Sequence, residues 1–162
     1  MIIDDELDIG MLIMPIDANG LKCEVIKTQD MFVALPALHP LSLKYKNQDA
    51  KISLKELKDE KFILPKESQR SRTEIDLAFK KAGFAPKIFC ETDTFDIANS
   101  IVASGYGACF TISQFIKEDK ADKVRLFDIG EPTLAKTLIL AYKEDKKLSK
   151  LAQEFIKIAK ES

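Results

Sequence analysis

Between Phe62 and Ile112 the chain repeats one alternation: an apolar extended run, a polar loop, then an amphipathic stretch. That order restricts the fold more than any other feature. Phe62, Ile63 and Leu64 favour a strand, and Pro65, which has no N–H for a ladder, ends it. A polar loop runs from Lys66 to Arg70. Ser71-Arg72-Thr73-Glu74 has the Ser-x-x-Glu form of a capping box. Ile75, Ala78, Phe79 and Ala82 then fall on one helical face. Gly83 supplies a C′ stop, and Pro86 bars continuation. Lys87 to Glu91 reads as a second strand, and Asp93 and Thr94 offer N-cap oxygens to a helix reaching about Ser104. Ile97, Ala98, Ile101 and Val102 form its apolar stripe. Gly105-Tyr106-Gly107 ends it, and Ala108 to Ile112 is a third strand. The β-α-β-α-β order implies a parallel sheet with both faces covered. Ligands of such sheets bind beyond the carboxyl ends of the strands. Residues 65–70 and 92–94 both lie at that edge and lead into helix N-termini, where backbone N–H groups lack helical partners.

One part of this stretch breaks a local rule. The chain has 25 Lys and Arg residues, yet only Arg70, Arg72 and Arg125 are arginine. Arg70 and Arg72 sit at a helix start, where the dipole disfavours cations. A guanidinium fork suits the two-point recognition of a carboxylate or phosphate. The functional reading is an anion site; the plain one is a helix cap with solvated arginines. Asp93 and Asp96 are simpler as dipole-matching caps than as an acid/base dyad.

On either side of this region the signals are shorter. Leu7 to Met14 is an apolar run ending at Pro15, consistent with a buried strand. Residues 17–20 form a turn, Leu21 to Lys27 and Met31 to Pro36 are extended, and His39-Pro40-Leu41 lies in a loop. Residues 44–51 read as an exposed loop, and Ser53 caps a short helix through Leu54 and Leu57. Ser113 caps another over residues 114–117. Val124 to Ile129 and Leu138 to Tyr142 are strands, and Ser149 caps a last helix whose face is Leu151, Phe155, Ile158 and Ala159.

A chain of 162 residues with 46% hydrophobic and 31% charged content makes one ordinary domain or two small ones. No apolar run reaches the length of a membrane span. Residues 1–15 open on acidic side chains, so no signal peptide is expected, and the absence of a disulfide pattern fits a cytoplasmic protein. A net charge of −1 argues against a large nucleic-acid surface on this chain. Cys23, Cys90 and Cys109 form no C-x-x-C pair, and His39 is the one histidine, so neither a metal site nor a cofactor is expected. Cys90 and Cys109 read as buried thiols. No nucleophile, base and orienting group can be assembled, which argues against an enzyme.

The order and spacing of several segments resemble the effector-binding domain of LysR-type transcriptional regulators. The markers are His39-Pro40-Leu41, the segment Leu57 to Leu64, Ala82-Gly83-Phe84, and Ile101-Val102-Ala103-Ser104-Gly105-Tyr106-Gly107. The likeness covers nearly all of residues 7–160. It implies an α/β, periplasmic-binding-protein-like fold in which two subdomains are joined by crossing strands and a small effector binds in the cleft between them. Residues 35–130 would form the second subdomain, and residues 1–34 and 131–162 an incomplete first one. The family's winged helix-turn-helix, linker helix and opening elements have no counterpart, so a fragment or truncated product is expected. DNA would be reached only through that missing N-terminal domain.

In the family the loop matching residues 66–72 closes over the effector, and the helix starting at Thr94 borders the cleft. Carried over, Gln69, Arg70, Ser71 and Arg72 are the candidate anion-facing donors. Pro65 and Phe95 are candidate apolar wall, and Met14 and Pro15 the edge of the first subdomain. The implied ligand is a small molecule, a carboxylate or other anion. A homo-oligomer is expected, with residues 7–14 or 138–142 on a second copy. A free-standing solute-binding protein of the same fold is the alternative.

Overall fold

A computed structural model describes residues 7–14, 16–45, 51–131 and 134–161. In chain order the elements are β1 (Gly10–Ile13), β2 (Leu21–Gln29), β3 (Met31–Pro36), α1 (Pro40–Lys44), a 3-10 turn (Leu54–Leu57), β4 (Lys61–Pro65), α2 (Arg70–Ala82), β5 (Lys87–Thr92), α3 (Phe95–Ala103), β6 (Ala108–Ile112), two further 3-10 turns (Ser113–Phe115 and Glu118–Lys120), β7 (Val124–Phe127), β8 (Lys136–Lys143) and α4 (Lys150–Glu161). They fall into two compact units. One is Asp30–Ala135; the other is Met1–Gln29 with Lys136–Ser162.

The unit Asp30–Ala135 holds a five-stranded sheet of order β5-β4-β6-β3-β7. β4 runs parallel to β5 and β6, as the alternation predicts, but β3 is antiparallel to both β6 and β7. The sheet is therefore mixed. The crossovers that dictate parallel pairing exist only between residues 61 and 112; β3 and β7 lie outside them.

Alternation along β4 explains how both faces are covered. Phe62 and Leu64 turn to one side, where Ile75, Ala78 and Phe79 of α2 bury them. Phe62 packs edge-on against Phe79 at 4.8 Å between ring centroids, and Phe110 of β6 completes the group. Ile63 points to the other side, against Ala98 and Val102 of α3. Each such buried side chain contributes about 1.5–3 kcal/mol by leaving water. Gly107, at φ +64°, lets β6 start tight against β4: a Cβ there would lie 2.6 Å from the Lys61 carbonyl oxygen.

Local signals set several ends as expected. Gly83 caps α2 in the left-handed conformation, with its N–H on the carbonyls of Phe79 and Lys80. Ser53 and Glu56 form a full capping box on the turn Leu54–Leu57. Ser149 accepts from the Ala152 N–H at the start of α4. His39 does more than sit in a loop. It caps α1, its Nδ1 accepting from the Leu41 N–H and its Nε2 lying 3.1 Å from Glu60. The segment expected as an exposed loop at 44–51 has residues 46–50 outside the described set. Cys109 is fully buried, and burial pushes its thiol up to about 12, but Cys90 on the edge strand β5 is only half-buried.

The other unit differs from expectation. Its three strands, in the order β1-β8-β2, are all antiparallel. Residues 138–142 lie in the central strand with Ile139, Leu140, Ala141 and Tyr142 buried, so they offer no surface to a second copy. β1 is an edge strand, with Met11 and Ile13 about half exposed. α4 packs on the sheet through Ala152, Ile156 and Ala159, while Leu151, Phe155 and Ile158 face outward. Apolar residues come here in adjacent pairs (151/152, 155/156 and 158/159), so periodicity alone cannot choose the buried stripe. The sheet does choose. Lys160 of α4 meets Glu24 of β2, and Ala152 and Ile156 are buried.

Candidate functional site

The carboxyl ends of β4 and β5 and the starts of α2 and α3 meet at one pocket. Its floor is Ile63, Ala98 and Phe110, with Phe95 and Pro65 at the side. Its rim is Gln69, Thr92, Asp93 and Thr94. Phe95 is held flat against Phe115, with centroids 5.1 Å apart. Thr94 caps α3 by accepting from the Ile97 N–H at 3.3 Å, as its position in the sequence predicts. The Thr94 N–H in turn reaches the Thr92 hydroxyl. Behind the rim, Asn99 is fully buried: its amide donates to Thr111 and to the Phe115 carbonyl and accepts from the Cys109 thiol. This network pins α3 to β6.

Four of the predicted residues, Pro65, Gln69, Thr94 and Phe95, therefore line one pocket. Arg70, Ser71 and Arg72 do not line it. The expected Ser71 capping box does not form: α2 begins two residues earlier, with Gln69 at the N-cap and no side-chain cap bond. Ser71 is the second residue of the helix.

Arg72 is not an outward anion donor. It is 5% exposed, and its guanidinium donates to Asp76, to Glu91 and to the Pro65 carbonyl at 2.8 Å. Burial works to lower its pKa, but the hydrogen bonds it donates to Glu91 and Asp76 outweigh that and leave it raised. The residue ties the ends of β4 and β5 to α2. Those tertiary acceptors outweigh a single local cap, worth about 0.5–2 kcal/mol. Met14 belongs to the other unit, where its N–H meets the Thr137 carbonyl, and Pro15 lies outside the described residues.

Two rim contacts carried no local signal. Lys66 Nζ lies 2.6 Å from the Asp93 carboxylate, and the Gln69 side-chain amide donates to the Asp93 carbonyl at 3.0 Å. Asp93 and Asp96 do not pair with each other; Asp96 meets Lys117 and Lys120 instead. Among the described residues, no cluster of three or more His, Cys, Asp or Glu side chains could hold a metal ion, and no helix is long and apolar enough to cross a membrane.

A mixed α/β sheet with a pocket at its strand ends and helix N-termini on the rim is an arrangement at which sheets of this kind take small molecules. The family model described as the LysR substrate binding domain matches residues 1–162, and the chain belongs to that family. It is 25% identical over 157 residues to YwbI of Bacillus subtilis, an HTH-type transcriptional regulator, covering 97% of this chain and 50% of that protein. The chain thus spans about half the length of that relative. The fold is also that of the regulatory domain of Synechocystis PCC6803 CcmR in complex with 2-PG, with a TM-score of 0.78, 19% identity, and coverage of 99% of this chain and 75% of that one. It likewise matches the BenM effector-binding domain with its effector benzoate, with a TM-score of 0.75, 19% identity, and coverage of 99% and 71%.

Proposed function

We propose that this chain is the ligand-sensing part of a LysR-type transcription regulator and that its small-molecule effector contacts the pocket at the carboxyl ends of β4 and β5. The observation that carries the reading is the convergence of Gln69, Thr92 and Thr94 with the apolar surfaces of Phe95, Ile63 and Phe110 in one pocket. Apolar walls hold the body of such a ligand, and a few fixed polar groups orient it. Helix N-termini on the rim favour a ligand bearing a carboxylate or another anion. DNA control would pass to a helix-turn-helix outside these 162 residues, by population shift: the effector favours the conformation it binds better. A second copy of the chain would meet the β1 edge, whose exposed Met11 and Ile13 support that contact. Light scattering at high concentration tests it, and a persistent monomer counts against it.

A thermal-shift screen of small carboxylates, including benzoate and shikimate, tests the pocket. A true effector at about a hundredfold excess over Kd adds about 2.7 kcal/mol of stability. Thr94→Ala and Phe95→Ala should reduce that gain. A hit whose stabilisation ignores both changes binds elsewhere and overturns the reading.

A further inference from the structure

Two loops are tied together at the rim of the pocket. Lys66, in the loop before α2, reaches Asp93, in the turn before α3, with Nζ to carboxylate at 2.6 Å. The Lys66 N–H meets the Thr92 carbonyl at 3.3 Å, and the Gln69 amide meets the Asp93 carbonyl at 3.0 Å. The pocket beside them is shallow, about 20 Å³. Asp93 is also the one charged residue among those lining the pocket.

Resting on the effector reading above, we propose that Asp93 is a built-in stand-in for the anionic group of the ligand, and that Lys66 is the countercharge the ligand takes over. The Lys66 and Asp93 side chains are 52% and 61% exposed, so their pair is weak and cheap to exchange. An incoming carboxylate that replaces Asp93 at Lys66 keeps the charge paired, and it does so beside the N-terminus of α3, where negative charge is favoured. A neutral ligand of the same shape has no such exchange to make. Lys66 and Asp93 thus select for charge, while Phe95 and the floor select for an apolar body.

The test uses benzoate, and benzamide as its neutral counterpart, titrated into the whole chain by NMR. Wild type is compared with Asp93→Asn, Lys66→Met and the double variant, each first checked for an unchanged thermal midpoint. Asp93→Asn should bind benzoate about threefold tighter than wild type, the size expected for freeing one exposed partner. Its benzamide affinity should not change. Lys66→Met should weaken benzoate and erase the gain in the double variant. Benzoate binding by Asp93→Asn that is absent or no tighter than wild type overturns the proposal. So does an equal gain for benzamide, or a gain that survives Lys66→Met. A hit from the screen that depends on Thr94 yet ignores Asp93→Asn removes the exchange alone and leaves the pocket reading standing.

Discussion

The two helices that open onto the pocket begin by different physics. α3 starts where its own sequence says it should, because Thr94 caps it with a contact three residues away. α2 starts where other elements put it. Its N-cap makes no side-chain bond, and Arg72, two residues inside, bonds acceptors on β4, on β5 and on its own next turn. A local motif sets a helix end when nothing distant competes for its residues. It loses when a nearby side chain can satisfy several buried acceptors at once.

This contrast can be broken by substitution. The largest effect is expected from Arg72→Ala. It strands the Pro65 carbonyl and leaves two carboxylates without their partner. Glu91 and Asp76 keep some water, so the loss sits at the low end for a buried ion pair, about 3 kcal/mol in urea unfolding. A loss no larger than that of Thr94→Ala would mean the guanidinium does not set the start of α2. Thr94→Ala should cost about 1 kcal/mol, the usual value of a lost cap.

A smaller effect is expected from acid. Hydrogen bonds from Lys120, then from Lys117, hold the Asp96 carboxyl in the first turn of α3 below its ordinary 3.8. With the folded value depressed, its contribution is complete above the unfolded value and disappears as pH falls through the folded one. Amide protection at the start of α3 should therefore drop below that ordinary value relative to α2. Asp96→Asn should remove this pH dependence; if the drop persists, Asp96 is not its source. The smallest effect belongs to Ser71→Ala. A capping box there would cost about 1 kcal/mol to lose. As a residue inside the first turn, Ser71 should change stability by less than about 0.5 kcal/mol. A full loss would restore the capping-box reading.

Much of the site was legible in the chain. Pro65 after an apolar run, Thr94 before an amphipathic one and the strand-helix alternation placed the pocket rim, because each signal acts within a few residues. The pairing of Lys66 with Asp93 was not legible. The two residues are 27 positions apart, and each looks like ordinary solvated charge. Arg72 was noticed for the right reason and assigned the wrong direction: its rarity marked it as special, but only the positions of Glu91 and Pro65 show that it faces inward. The outward stripe of α4 was misassigned because two stripes of similar character lie side by side.

The stretch from Phe62 to Ile112 shows where sequence information stops. The sequence by itself determined the strands, the helices, their order, the glycine and threonine caps, and the edge of the sheet at which the pocket lies. These follow from steric and hydrogen-bonding rules that act over one turn or one strand. Only the tertiary structure decided the antiparallel partners of the sheet, the first residue of α2, the inward turn of Arg72 and the pairing of Lys66 with Asp93 at the pocket rim. Each of these depends on which distant acceptor lies within about 3 Å of a donor, and spacing along the chain carries no record of that.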